Sequence, residues 1–444
     1  MSKKQDYNER TDKTRRLLET IATIEGSESE FVQRKSKMTA SCFSQTMIMG
    51  SLEKGDKTLT EYAQISADLG VEISASGLNQ RINEKSVAML KNILSKSIQM
   101  SQESELKGEV KETLQERFSC VQILDSSYLA MPPTIAEQYP GIGSSNAAGM
   151  KVCLNYEYCN GEIQALSLTP GREPDQKSQL HLSGAKLGSL HLFDLGFFKQ
   201  EVFAELAQKG AYFISRYQSQ TAVYWQQDDK SGFDLAAHLQ KSNTDEVNSF
   251  VFLGSNTRVP VRLVAQRLPT KVAAERRRKA KQKAKRDGRR TSPTAKTLQL
   301  LDWVIFITNV PTTWLSIEQI ILVYRLRWQI ELIFKLWKSR AKLNAIGNYR
   351  SERVLCQVYA RLTALVLFHS WVAPTYRLLK RLSLPKAFSL LQHHVARCLL
   401  AIADSWQGFS DIWRRFDHDL LRLGLQEKRK KSPNSYQLLL LAGL

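Results

Sequence analysis

Residues 324–340 read YRLRWQIELIFKLWKSR, an apolar and strongly cationic run that keeps one acid, Glu331, between Ile330 and Leu332. At about 100° per residue, with Tyr324 at zero, Arg327, Glu331 and Lys338 fall at about 300°, 340° and 320°. The four share one narrow stripe of a helix. Leu326, Ile330, Ile333 and Trp337 fall at about 180–240°, a separate stripe suited to packing on a core. Ser316 and Gln319 have the spacing of a capping box that starts this helix, and Gly347 lies beyond its end. On spacing alone the polar stripe is equally an exposed ladder, with Arg327 and Glu331 as an ordinary i,i+4 pair.

Composition says what kind of partner such a stripe would meet. The chain has 444 residues, enough for roughly two to four domains with ample core. Its 63 Lys and Arg against 43 Asp and Glu leave a net charge of +20, which points to a polyanionic partner. The polar start MSKKQDYNERTDKTRR does not resemble a signal peptide. The longest apolar run, LTALVLFHSWVA at 362–373, is too short to span a bilayer and reads as a buried helix, so no membrane is expected. Six cysteines include no C-x-x-C pair, so neither a zinc knuckle nor a disulfide framework is signalled. A reducing cytoplasm is the expected setting.

Upstream, residues 1–112 are polar and helical in pattern. Within them TLTEYAQISADLGVEISASGLNQRI (58–82) suggests two helices around Gly70. This is either a helix-turn-helix offering Asn79, Gln80 and Arg81 to a groove or a plain helical hairpin. From Phe118 the period changes to two. FSCVQILDSS reads as a strand ending at Asp125; 149–158, 162–171 and 189–198 read as further strands, the last stopping at Asp194. A helix over 197–210 follows, then strands at 211–218, 249–254, 259–268 and 301–311. Between the last two, residues 271–290 hold eleven Lys or Arg and two acids, +9 of the total charge. That run is either a solvated loop or a DNA-backbone contact, and the partner class favours the second. A second basic knot, KRKK, stands at 428–431, in a region that is helical in pattern from about 350 onward.

Asp125 and Asp194 thus close two apolar strands, and Glu331 sits on a helix that follows a third. The ends of sheet strands are where such acids converge. Three carboxylates on a basic chain suit hard divalent cations, which take oxygen ligands and leave positions for phosphate and water. Two ions about 3.5–4 Å apart would activate water and stabilise the leaving 3′-oxygen of a phosphodiester.

Tyr324, Arg327, Glu331 and Lys338 meet the signature Y-x2-R-x3-E-x6-K without departure, and by it the chain resembles the DDE transposases of bacterial insertion sequences, in the Insertion Sequence Four family. The likeness extends more loosely over roughly residues 40–375. It implies an α/β fold: a ribonuclease H-like mixed-sheet catalytic core interrupted by a β-rich insertion, with helical N-terminal and C-terminal regions. On this chain that gives a helical, DNA-binding region at 1–112, a core at 113–210 and 300–375, a β-rich insertion with the basic segment at 211–299, and a helical C-terminal region at 376–444. The 136 positions between Asp194 and Glu331 leave room for the insertion.

The resemblance further implies a triad of Asp125, Asp194 and Glu331 holding two Mg²⁺ ions, with Mn²⁺ able to substitute. It implies that Tyr324 and Arg327 grip phosphates and a displaced base at the element tip, and that Lys338 lies near the cleaved strand. Some relatives stack that base on a tryptophan at the spacing of Trp303, which is equally an aromatic on a core strand. The implied partners are double-stranded DNA, as element ends and target, and a second copy of the chain in the paired-end complex. The setting is the bacterial cytoplasm, at the nucleoid.

Other signals carry less. GIGSS (141–145) has no following Lys to make a phosphate loop; Asp175 lacks a preceding apolar strand; His393 and His394 lie in an expected helix and read as structural or exposed. Two rivals stand beside the transposase: a catalytically inactive DNA-binding relative, which all three acids argue against, and a ribonuclease H-like nuclease or resolvase that only cleaves.

Overall fold

The computed structural model describes residues 3–102, 113–143, 147–286, 293–427 and 433–444. The end of the Gly-rich turn (144–145), the tail of the basic run (287–290) and the KRKK knot lie outside the described residues. The chain divides into two compact units, one of residues 1–110, 126–173 and 329–432, the other of residues 111–125, 174–328 and 433–444.

The first unit is mostly helical. Its spine is the 28-residue helix Ser351–Leu378, apolar on nearly every face, which helices Ala40–Glu53 and Glu84–Gln102 pack against. Among the described residues it is the one helix long and apolar enough to cross a membrane, but 94% of its apolar window is buried, as in a core helix. The apolar run 362–373 is therefore the middle of a helix longer than expected. Helix Leu59–Asp68 opens with a capping box of Thr58 and Glu61, Gly70 makes the turn at φ +84°, and Ser74 caps helix Ala75–Arg81. Leu78 and Ile82 anchor the second helix while Gln80 is exposed. Arg350 donates to the carbonyls of Asn79 and Ile82.

This unit also holds the second half of strand β1 (Cys120–Met131) and the antiparallel hairpin of β2 (Ala148–Glu157) and β3 (Glu162–Pro170). The hairpin turns at Gly161 (φ +77°), with the Glu157 carboxylate accepting the Cys159 N–H at 3.0 Å. Strand β1 does not end at Asp125, as its Ser126–Ser127 pair suggests. It continues as strand to Met131, burying Leu129 and Met131.

The second unit is a mixed sheet. It contains the first half of β1, with β4 (Ser189–Phe193), β5 (Tyr212–Arg216), β6 (Val223–Tyr224), β7 (Glu246–Leu253), β8 (Val259–Arg267) and β9 (Trp303–Thr308), in the order β1-β4-β5-β9-β8-β7-β6. Strands β1, β4 and β5 are parallel; the rest pair antiparallel. Helix Gln200–Gln208 crosses from β4 to β5 and buries Val202, Phe203 and Leu206, as a parallel pair requires. The fold is the expected mixed α/β one, with antiparallel strands inserted between Asp194 and Glu331. Those strands extend the same sheet, because β9 bridges β5 and β8.

The basic run is a helix, Thr270–Arg286, and not a loop. Alanines at 273, 274, 280 and 284 and the long cationic side chains are all strong helix formers. Glu275 pairs with Arg278 at 2.7 Å and Lys279 at 3.5 Å, and the Arg278 hydrogen bond holds its carboxyl down at about 2.

Candidate functional site

In the parallel ladder of β1 and β4 the last partners are Leu124 and Phe193. The next residue on each strand is an acid, Asp125 and Asp194. Parallel strands carry their side chains in register about 4.8 Å apart, so the two carboxylates start from the same level of the sheet. Arg327 lies against both. Its Nη1 donates to Asp125 Oδ2 at 2.9 Å, and its Nε is 3.9 Å from Asp194 Oδ1. The Arg327 and Asp125 side chains are 14% and 16% exposed and that of Asp194 is 42% exposed, so the pair opens to solvent on the Asp194 side.

The segment that delivers Arg327 is not one continuous helix. Ser316 and Gln319 form the expected capping box, and helix Ile317–Tyr324 follows. Residues Arg325–Arg327 then tighten into a 3-10 turn before helix Trp328–Ser339. The signature residues are therefore carried on two helices and the turn between them, not on one continuous helix. The apolar stripe survives: Leu326, Ile330, Ile333 and Trp337 are all buried.

Tyr324 points inward. Its hydroxyl donates to the Phe193 carbonyl at 3.1 Å, immediately before Asp194, and its ring lies 4.8 Å from that of Phe306. Burial, with help from the Asp194 charge, pushes its hydroxyl up to about 12, so it stays a donor at neutral pH. The Arg216 guanidinium stands 5.7 Å from the ring. Neither the Phe193 carbonyl nor Arg216 is marked in the sequence, since one is backbone and the other an Arg on an unremarkable strand.

In the helical unit, Glu331 is half-buried in the first turn of helix Trp328–Ser339, where the helix dipole favours a carboxylate. Lys338 is on the same helix, and its Nζ donates to the Tyr128 carbonyl on β1 at 2.8 Å. Partial burial lowers its ammonium pKa. The Tyr128 side chain lies against Gly149 and Gly171, where an added Cβ would clash with its hydroxyl and its ring.

Trp303 is a core aromatic on β9, 5% exposed, with Arg267 4.7 Å above its ring. A base could reach that face only if Arg267 moved aside. The exposed tryptophans among the described residues are Trp225 and Trp328. Asp175 sits in a 3-10 turn against Gly196, and His394 is a buried partner of Asp419 at 3.0 Å. Among the described residues no three Asp, Glu, His or Cys side chains are grouped as ligands of one metal ion. Two acids in register, offering only carboxylate oxygen, nevertheless match the donor chemistry of a hard divalent cation.

Comparison with known proteins identifies the family. The Transposase DDE domain family matches residues 116–367. The chain is 28% identical to the transposase for insertion sequence element IS231F of Bacillus thuringiensis subsp. israelensis, over 93% of this chain and 90% of that protein. It is 26% identical to the transposase for IS1151 of Clostridium perfringens, over 100% and 98%. A more distant likeness in structure is to the piggyBac transposase synaptic complex with hairpin DNA, with a TM-score of 0.48 and 10% identity, covering 94% of this chain and 84% of that one. The matched region runs from before β1 through the whole signature helix, and the chain belongs to the DDE transposases of the Insertion Sequence Four type.

Proposed function

We propose that this DNA transposase cuts the two ends of a mobile element and joins them to target DNA by a cut-and-paste route, with Asp125, Asp194 and Glu331 as one centre. The observation that carries this reading is the register of Asp125 with Asp194 at the ends of parallel strands, spanned by Arg327. Carboxylate oxygen suits Mg²⁺, with Mn²⁺ as a substitute. Such ions, two in this reading, would supply an activated nucleophile and a stabilised leaving oxygen.

The chain's own residues arrange the acids and the DNA. Tyr324 fixes the end of β4 through the Phe193 carbonyl, and Lys338 holds β1 at Tyr128. Arg327 and Lys338 are the cations offered to phosphate. In cleavage, a water oxygen attacks phosphorus, the P–O3′ bond breaks and the strand leaves with a 3′-hydroxyl. In joining, that hydroxyl attacks a target phosphate and displaces a target 3′-hydroxyl. No step bonds protein to DNA. The basic helix Thr270–Arg286 contacts the backbone, and helix Ala75–Arg81 reads a groove. Two ends must be held at once, which calls for two copies of the chain working at the nucleoid in the cytoplasm.

The test uses DNA flanking the reading frame as substrate. The wild type should retard it, cleave it at inverted repeats in Mg²⁺, and join the cut ends to a plasmid. Retardation without cleavage would establish the inactive DNA-binding relative; cleavage without joining would establish the nuclease.

A further inference from the structure

Asp125 and Asp194 already share a cation. Their side chains leave neighbouring strands at one level, so a divalent ion held by both would have to sit between them. That is where the Arg327 guanidinium lies, 2.9 Å from one carboxylate and 3.9 Å from the other. A guanidinium stays charged at any working pH. Two cations cannot share that space at short range without strong repulsion.

Arg327 is built to leave. It is the last residue of the 3-10 turn Arg325–Arg327, and such a turn within a helical run often marks a hinge. Tyr324, which also interacts with Arg327, has its own anchor in the Phe193 carbonyl and can hold β4 while the arginine swings. Once off Asp125, the part-buried guanidinium needs another anion, and a DNA phosphate can take it bidentately.

We infer that Arg327 is the resident counter-ion of the carboxylate pair, surrendering the acids to the metal as it turns to a phosphate of the DNA end. This rests on the acids being metal ligands, as proposed above. Arg327 is thus a positioning residue that keeps the acids close before metal arrives, at the expense of metal affinity. Metal and DNA end then favour each other's binding, by the same factor in both directions.

The test needs no DNA and no turnover. Free Mn²⁺ is followed by electron paramagnetic resonance as it is titrated with wild type, Arg327→Gln, Arg327→Ala, Arg327→Lys and Asp125→Asn, each checked by thermal melting. Removing the competing charge should tighten Mn²⁺ binding by at least about tenfold in the Gln and Ala variants. The Lys variant keeps the charge but cannot span both acids, and should fall between them and the wild type. Equal or weaker binding by the folded neutral variants overturns the inference. Should both fail to fold, Lys binding no tighter than wild type overturns it as well. Asp125→Asn separates the two ideas: wild-type Mn²⁺ binding there refutes the ligand assignment itself, and the counter-ion exchange with it.

Discussion

The helix Thr270–Arg286 lets the DNA-backbone reading be tested by face. Ala273 and Ala284 are buried and mark its inner side. At about 100° per residue Arg276 and Arg277 lie within about 70° of that side, whereas Arg278, Lys279, Lys285 and Arg286 lie more than about 100° away. The inner arginines are tethers: Arg276 donates to the Trp303 carbonyl at 3.4 Å and Arg277 pairs with Asp302. Only the outer cations are placed to meet phosphates. Replacing Lys279 and Lys285 by Gln should lower the slope of log K against log salt by ~1.8, at ~0.9 per contact. Between about 50 and 200 mM salt, the affinity advantage of wild type over the double variant should shrink ~12-fold. Fluorescence anisotropy on element-end and unrelated duplexes, at four or more salt concentrations, reads both quantities. The loss should be alike for both duplexes. An unchanged slope would show that the outer face is merely solvated.

Tyr324→Phe keeps the buried ring and removes one hydrogen bond to the Phe193 carbonyl. It should cost about 1–2 kcal/mol in urea unfolding and slow cleavage more than it weakens DNA binding; a stability within error of wild type would mean that the hydroxyl does not hold β4. Acid should destabilise the chain through two buried histidines: burial pushes His191 down to about 3 and His369 to about 4. Both depressed values mean that the unfolded chain binds more protons below its own His pKa of about 6.5, so stability is full above that pH and is lost as pH falls toward 4. Melting from pH 7 to 4 should show the decline, shallower in His191→Gln, and a flat profile would contradict it. Asp194→Asn should retard element-end DNA like wild type while Mg²⁺-dependent cleavage falls by orders of magnitude; cleavage within a few-fold would remove it from the centre.

What the sequence made legible was whatever depends on neighbours along the chain. The Ser316–Gln319 capping box, the buried stripe Leu326–Ile330–Ile333–Trp337 and the strand ending at Phe193 all follow local spacing. The misreadings share the opposite cause. No Gly or Pro announces the 3-10 turn at Arg325–Arg327, which interrupts the single helix that the spacing suggests. Ser126 and Ser127 look like a stop, yet β1 runs past them to Met131. Charge left 271–290 open between a solvated loop and a DNA contact and said nothing of the helix Thr270–Arg286 that its alanines and tethered arginines form. The Arg267 that covers Trp303 comes from β8, paired beside it in the sheet but remote in sequence. A contact of that kind leaves no periodicity to read.

The central claim is that Asp125, Asp194 and Glu331 act as one centre for both cutting and joining. The direct measurement incubates a labelled, pre-cut element end with supercoiled plasmid in Mg²⁺ and scores covalent joint molecules on a denaturing gel. Wild type should give them; Asp125→Asn, Asp194→Asn and Glu331→Gln should each give none while still retarding the end. Joint molecules at wild-type yield from any one of the three would contradict the account.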